Sequence, residues 1–84
     1  MEKFTLTELK VIIDACIGGD SGLGPDSIDT TFDELDIDSL AVYETMTRLE
    51  ESVHIVVTDD EIDALRTARQ ILAFVNARLA DVAA

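Results

Sequence analysis

The chain has 84 residues, 18 acidic against six basic, for a formal net charge of −12. That length allows about one hydrophobic core, and with 48% apolar but only 5% aromatic side chains and no Trp the core must be aliphatic. The charge excludes nucleic acid, whose phosphates need Lys and Arg, argues against anionic membranes, and favours partners with basic surfaces.

A single cysteine rules out an internal disulfide framework, and a cytoplasmic protein is the expectation. No apolar run is long enough for a signal peptide or a membrane span, and a mean hydropathy of +0.22 argues against disorder. The acid is unevenly placed. Between Asp20 and Asp63 lie fourteen of the acidic residues with Arg48 as their only base, whereas the flanks are nearly neutral. An ordinary solvated face explains most acidic runs, but one so concentrated in so short a chain is also a candidate docking surface.

In chain order, Thr5-Leu6-Thr7-Glu8 reads as a capping box that opens a first helix. Leu6, Leu9, Ile12, Ile13, Cys16 and Ile17 fall on one face, and Gly18-Gly19 stops it. Residues 19–37 are rich in turn formers, with Leu23, Ile28, Phe32, Leu35 and Ile37 as apolar anchors that pin a long first loop. Asp38 is the predicted N-cap of a second helix, which places Ser39 at its first position. Its apolar stripe is Leu40, Tyr43, Met46, Leu49 and Val53, with Val42 beside it. Val53–Val57 is β-branched but has no second strand to pair with, so an extended connector is expected. Asp59–Asp63 suits a short third helix. Thr67-Ala68-Arg69-Gln70 is a second capping box, opening a fourth helix with Ala68, Ile71, Leu72, Val75 and Leu79 on one face and a tail, 81–84, that frays. The predicted fold is all-α: a small antiparallel four-helix bundle of three main helices, one short helix and a long first loop, with 1–84 as a single domain and a monomer.

Catalytic chemistry has little to work with. Cys16 lies on an apolar stripe, which points to a buried, inert thiol; His54 is out of phase with Val53, Ile55 and Val57 and is expected at the surface. No Gly-x-Ser-x-Gly elbow surrounds any serine. The acids do not fit a calcium loop, because counting from Asp36 puts Ala41 and Thr47 at the glycine and glutamate places, and counting from Asp20 puts Pro25 sixth. No Cys/His cluster suits zinc. The chain is therefore read as a non-enzyme without a metal site.

What remains is Leu35-Asp36-Ile37-Asp38-Ser39-Leu40, an exposed hydroxyl on the first turn of a helix. Taken alone, Asp-Ser-Leu is ordinary N-capping. With Phe32-Asp33-Glu34-Leu35 before it, and with Glu44, Leu49-Glu50-Glu51, Val57-Thr58-Asp59-Asp60-Glu61 and Thr67 in register, it resembles the phosphopantetheine attachment motif of acyl carrier proteins. Leu40-Ala41, Glu44-Thr45, Arg48-Leu49-Glu50, Ile71-Leu72 and Val75-Asn76 look closest to the discrete carriers of type II aromatic polyketide synthases, and the resemblance covers nearly the whole chain.

The resemblance implies that a phosphopantetheinyl transferase moves 4′-phosphopantetheine from coenzyme A onto Ser39, next to Asp38, and that the arm's thiol carries starter, malonyl and growing polyketide chains as thioesters. It implies docking through Asp38, Leu40, Glu44, Glu50 and Glu51 to a ketosynthase/chain-length factor, a malonyl transferase, ketoreductase and cyclases. It also implies shelter for the acyl chain between the second and third helices, with Leu40, Met46, Ile55, Val57, Ile62, Leu65 and Asn76 as candidate lining; for each apolar residue the alternative is plain core. The sequence departs from the family at Asp36, where glycine is usual, and at His54 and Thr58, where Gly and Pro are common. A fatty-acid carrier is the nearest alternative, a peptidyl carrier is disfavoured by Asp38, and an acidic helical adaptor without a prosthetic group is the alternative from another class.

Overall fold

Thr5 starts the first helix as its sequence requires. In the computed structural model, which describes residues 3–83 and the side chains of residues 3–80, Thr5 holds an extended backbone while its hydroxyl accepts from the Glu8 N–H at 3.2 Å, and the Glu8 carboxylate accepts from the Thr5 N–H at 3.2 Å. Two orphan amides of the first turn are thereby satisfied. Helix α1 spans Leu6–Ile17 and ends where Gly18 turns left-handed (φ 73°) and donates to the Asp14 carbonyl at 2.9 Å. Leu9 and Ile13 are fully buried, but the stripe runs out of the core towards its end: Ile17 is 38% exposed and Cys16 is only half-buried, not the buried thiol expected from its phase.

The long connection after α1 is a packed strap. Leu23, Phe32 and Ile37 are buried in the core, with Ile28 and Leu35 against it. A short 3₁₀ turn at Pro25–Ser27 is clamped by the Ser27 hydroxyl, which accepts from the Gly24 N–H at 2.9 Å and donates to the Gly22 carbonyl at 3.0 Å. The Phe32 N–H then donates to the Arg66 carbonyl and the Arg69 N–H to the Ile28 carbonyl, both at 3.0 Å, around an isolated antiparallel bridge between Thr31 and Thr67. A surface loop has its backbone groups in water; here they are paired with the head of the last helix, which is why so many residues can hold one path.

Helix α2 covers Ser39–Val53 and buries Val42, Thr45, Met46 and Leu49. Leu40 does not belong to that face. It is 79% exposed, because two residues along a helix turn about 200° and Val42 points at the core. Thr45 takes the core position that the sequence pattern hides behind a hydroxyl, and that hydroxyl is satisfied by donating to the Ala41 carbonyl at 2.7 Å. His54 ends α2 in the left-handed conformation (φ 57°, ψ 49°). The valine run beyond it is an extended connector as expected, alternating buried Ile55 and Val57 with exposed His54 and Val56.

Helix α3, Asp59–Ala64, is opened by a capping box between Thr58 and Glu61 that mirrors the one at Thr5. Helix α4, Ala68–Ala83, begins with the predicted reciprocal pair: the Thr67 hydroxyl accepts from the Gln70 N–H and the Gln70 side chain accepts from the Thr67 N–H, each at 3.2 Å. Its helical backbone extends through Ala83, into the stretch 81–84 where fraying is expected, and Ala84 lies outside the described residues. Helix α1 packs on α2 and α4, and α2 on α3. Among the described residues there are four α-helices and no strand, around an aliphatic core in which Leu9, Ile13, Met46, Leu49, Ile71 and Val75 are fully buried.

Candidate functional site: the serine at the head of α2

The turn before Ser39 decides where its hydroxyl points. Residues 32–36 make one tight turn closed by two crossing bonds, from the Ile37 N–H to the Phe32 carbonyl (2.8 Å) and from the Asp36 N–H to the Asp33 carbonyl (3.1 Å). This pattern needs a left-handed residue at its second-last place, and Asp36 supplies it at φ 59°. Aspartate tolerates that conformation better than most side chains. The departure from glycine therefore leaves the turn in place. Ile37 then plugs into the core at 3% exposure, Asp38 is extended, and its carboxylate accepts from the Ala41 N–H at 2.8 Å. Ser39 follows as the first residue of α2, exposed, with no hydrogen-bond partner for its hydroxyl among the described residues.

Beside Ser39 opens a cavity of about 420 Å³ between α2, α3 and the strap. Phe32, Ile37, Val42, Ile62 and Leu65 form its apolar wall, and Tyr43, Asp63 and Arg66 are among its polar groups. Tyr43 lies one turn after Ser39, hence on the same side of α2. Its hydroxyl donates to the Asp63 carboxylate at 2.5 Å, joining α2 to α3. That bond, reinforced by partial burial and by the nearby negative charges, pushes the Tyr43 phenol up to about 12.

Of the predicted lining, Ile62 and Leu65 stand in this wall. Met46, Ile55 and Val57 are not part of it; they are 0%, 7% and 7% exposed and serve as core. Asn76 is a correction of another kind. Its side-chain carbonyl accepts from the Phe4 N–H at 2.8 Å and its NH₂ donates to the Phe4 carbonyl at 3.1 Å, so the amide ties down the chain before α1 and does not face the cavity. Leu40 is also displaced, onto a separate shallow groove shared with Cys16, Ile17, Ala41 and Glu44 on the other side of α2. Tyr43, Asp63 and Arg66 are the residues that sequence reasoning missed. The spacing of Tyr43 from Ser39 was the available signal; which residues of α3 would meet it depends on the helix crossing.

Comparison with known proteins fits this geometry to a family. A family model described as a phosphopantetheine attachment site matches residues 12–75. The granaticin polyketide synthase acyl carrier protein of Streptomyces violaceoruber is 39% identical over 85 residues, spanning 99% of this chain and 100% of the relative. The chain belongs to the polyketide synthase acyl carrier proteins. The actinorhodin carrier of Streptomyces coelicolor is 33% identical over 94% of both chains. Among solved structures, the oxytetracycline acyl carrier protein superposes with a TM-score of 0.85 at 32% identity, covering 98% of this chain and 88% of that one. These acyl carrier proteins are matched almost end to end, and the chain is likewise a carrier subunit, not a catalyst, built around a phosphopantetheine attachment site.

The carrier's acids divide into those already bonded within the fold and those that face outward. Lys10 bridges Asp14 (3.1 Å) and Asp20 (2.7 Å), Arg69 grips both oxygens of Asp29 at 2.6 and 3.2 Å, and Arg78 holds Glu61 and the Val56 carbonyl. The Lys10 ammonium holds the Asp20 carboxyl low, and the Arg69 guanidinium does the same for Asp29. Asp38, Leu40, Glu44 and Glu51 are exposed along α2, although Glu44 also reaches Arg48 at 3.3 Å. Glu50 is half-buried and its carboxylate accepts from the Val57 N–H at 3.2 Å, which fastens the connector to α2. No helix among the described residues is long and apolar enough to cross a membrane.

Proposed function

We propose that this carrier holds acyl groups of a type II polyketide pathway as thioesters on a 4′-phosphopantetheine arm attached to the Ser39 oxygen. One observation supports it above the others: Ser39 presents an exposed, unengaged hydroxyl at the first position of α2, beside a cavity able to take part of a chain. The residues suit the group. A helix of 15 residues starting at Ser39 offers the positive end of its dipole to the phosphodiester anion, and the Asp38 carboxylate caps the same turn by accepting from the Ala41 N–H. The arm supplies a thiol that exchanges acyl groups; the protein supplies a rigid post and a surface. Exposed Asp38, Glu44 and Glu51 around Leu40 suit the basic faces of a phosphopantetheinyl transferase, a malonyl transferase and a ketosynthase/chain-length factor, with ketoreductase and cyclases downstream. Contacts of that kind speed encounter without tight retention, as a shuttle requires. The carrier acts as one monomeric domain in the cytoplasm.

Intact-mass measurement after incubation with coenzyme A and a broad-specificity phosphopantetheinyl transferase tests the reading. A pantetheine adduct in the natural sequence and none in Ser39→Ala is expected; an adduct that persists in Ser39→Ala would overturn it.

A further inference from the structure

Four of the six basic side chains are already engaged. Lys10 is paired with Asp14 and Asp20, Arg48 with Glu44, Arg69 with Asp29 and Arg78 with Glu61. Lys3 and Arg66 have no such partner among the described residues. Lys3 stands before the start of α1, whose other end, at Cys16 and Ile17, shares a groove with Leu40 on the first turn of α2. The 12 residues of α1 set its two ends about 18 Å apart, so Lys3 is remote from the serine. Arg66 is at the serine's end of the molecule: it is exposed and lines the same cavity as Ser39. Its backbone is fixed on both sides, because the N–H donates to Gln70 at 2.6 Å and the carbonyl accepts from Phe32 at 3.0 Å. The guanidinium therefore springs from a rigid point.

The charges around Ser39 give that cation a use. Asp36 and Asp38 precede the serine, both exposed and neither in an ion pair among the described residues, and Asp33 and Asp63 line the cavity. The cavity carboxylates do not claim Arg66, since Asp63 accepts from the Tyr43 hydroxyl at 2.5 Å and no ion pair joins Arg66 to Asp33. An arm on Ser39 places one further negative charge, its phosphodiester, among these acids in a chain already at −12, and like charges so close repel. A guanidinium offers the opposite charge together with N–H donors in a fork that matches two phosphate oxygens.

We propose that Arg66 is a positioning residue for the prosthetic group: it pairs with the phosphodiester that joins the arm to Ser39, offsets the repulsion from Asp36 and Asp38, and sets the direction in which the arm leaves the serine. The proposal rests on attachment at Ser39 and concerns the phosphate, whatever acyl group the thiol bears. The pair is exposed, so it favours the paired arm by a small factor and weakens with salt. A weak tether suits an arm that must lift off the surface at each partner.

The test uses the full chain before and after loading from coenzyme A, with loading checked by intact mass. Two magnetic-resonance signals are read, the Arg66 Nε–H and the phosphorus of the phosphodiester. Loading should move the Arg66 Nε–H and leave that of Arg69, which Asp29 holds, in place. Raising the salt to about 1 M should lower the paired-to-unpaired ratio about three-fold. In Arg66→Gln the phosphorus signal should shift in the direction that salt drives it in the natural sequence, and Arg66→Lys should restore part of the difference. An Arg66 Nε–H that does not respond to loading, or a phosphorus signal identical in the natural sequence and Arg66→Gln, would overturn this proposal alone. A chain that takes no arm on Ser39 would overturn the attachment reading and this one together.

Discussion

Tyr43 of α2 and Asp63 of α3 share one short hydrogen bond, 2.5 Å from phenol to carboxylate, beside the serine that heads α2. Tyr43 is the only tyrosine in the chain, so its ionisation can be read directly from phenolate absorbance. The phenol should titrate near 12, and Asp63→Asn should bring it back towards the ordinary value of about 10. The folded-state value is raised, so the stabilisation it brings is complete below pH 10 and is lost as pH rises from there through 12. Tyr43→Phe should remove that alkaline step and speed amide exchange within α3, leaving α1 and α4 protected; unchanged exchange in α3 would show that the bond does not hold the helix.

Among the described residues, Asp36 and His54 are the two non-glycine residues at positive φ, 59° and 57°, one before α2 and one after it. Replacing Asp36 by glycine should stabilise the carrier by up to about 1 kcal/mol, since a left-handed residue with a Cβ costs about that much and the extra freedom of an unfolded glycine offsets part of it. His54→Gly should behave alike. Urea midpoints at constant m-value check both, and Asp36→Gly should still accept the arm on Ser39, because the crossing bonds from Ile37 and Asp36 are backbone to backbone.

These two positions also show what a sequence can and cannot reveal. Capping at Thr5, Asp38 and Thr67 was legible because a short-range pattern of hydroxyl or carboxylate and partner fixes it, and with it the place of Ser39. The core of α4 was legible through its 3.6 period. Leu40 was misplaced because an apolar residue on the first turn fits a stripe by spacing alone, and the core-facing Thr45 was overlooked because its hydroxyl finds a local acceptor. Asn76 was legible as a polar residue near a buried face, but its partner, Phe4, lies at the other end of the chain. The cavity wall depends on contacts between α2, α3 and the strap, which no local pattern encodes.

Acid should loosen the carrier in a definite window. Arg69 lowers Asp29, Lys10 lowers Asp20, and the Thr58 N–H lowers Glu61; Asp14 is pushed up by burial but carried lower overall by Ser21 and Lys10. Depressed carboxyls contribute stability that is complete above their unfolded values, near 4, and is lost as pH falls through the folded ones. A fluorescent-dye melting series from pH 6 to pH 2 should therefore decline below about pH 4. Arg69→Gln should flatten that decline, although only slightly, since the pair with Asp29 is exposed. A melting temperature that keeps rising as pH falls would mean that relief of repulsion within the −12 chain outweighs the paired carboxyls.

Asn76 separates a structural role from a cargo role. Its amide makes two bonds to the backbone of Phe4, whose ring is 4% exposed in the core. Asn76→Ala would leave the Phe4 N–H and carbonyl without protein partners and should cost about 2 kcal/mol in urea unfolding, with the amides of residues 4–6 losing exchange protection first. Asn76→Asp keeps one acceptor for the Phe4 N–H but removes the donor to its carbonyl, so it should fall between the two. Neither change should alter the shifts of Val42, Ile62 and Leu65 when an acyl analogue is loaded on Ser39, because those residues line the cavity and Asn76 does not. If Asn76→Ala were as stable as the natural sequence yet abolished those shifts, the amide would be acting on the cargo and its bonds to Phe4 would be incidental.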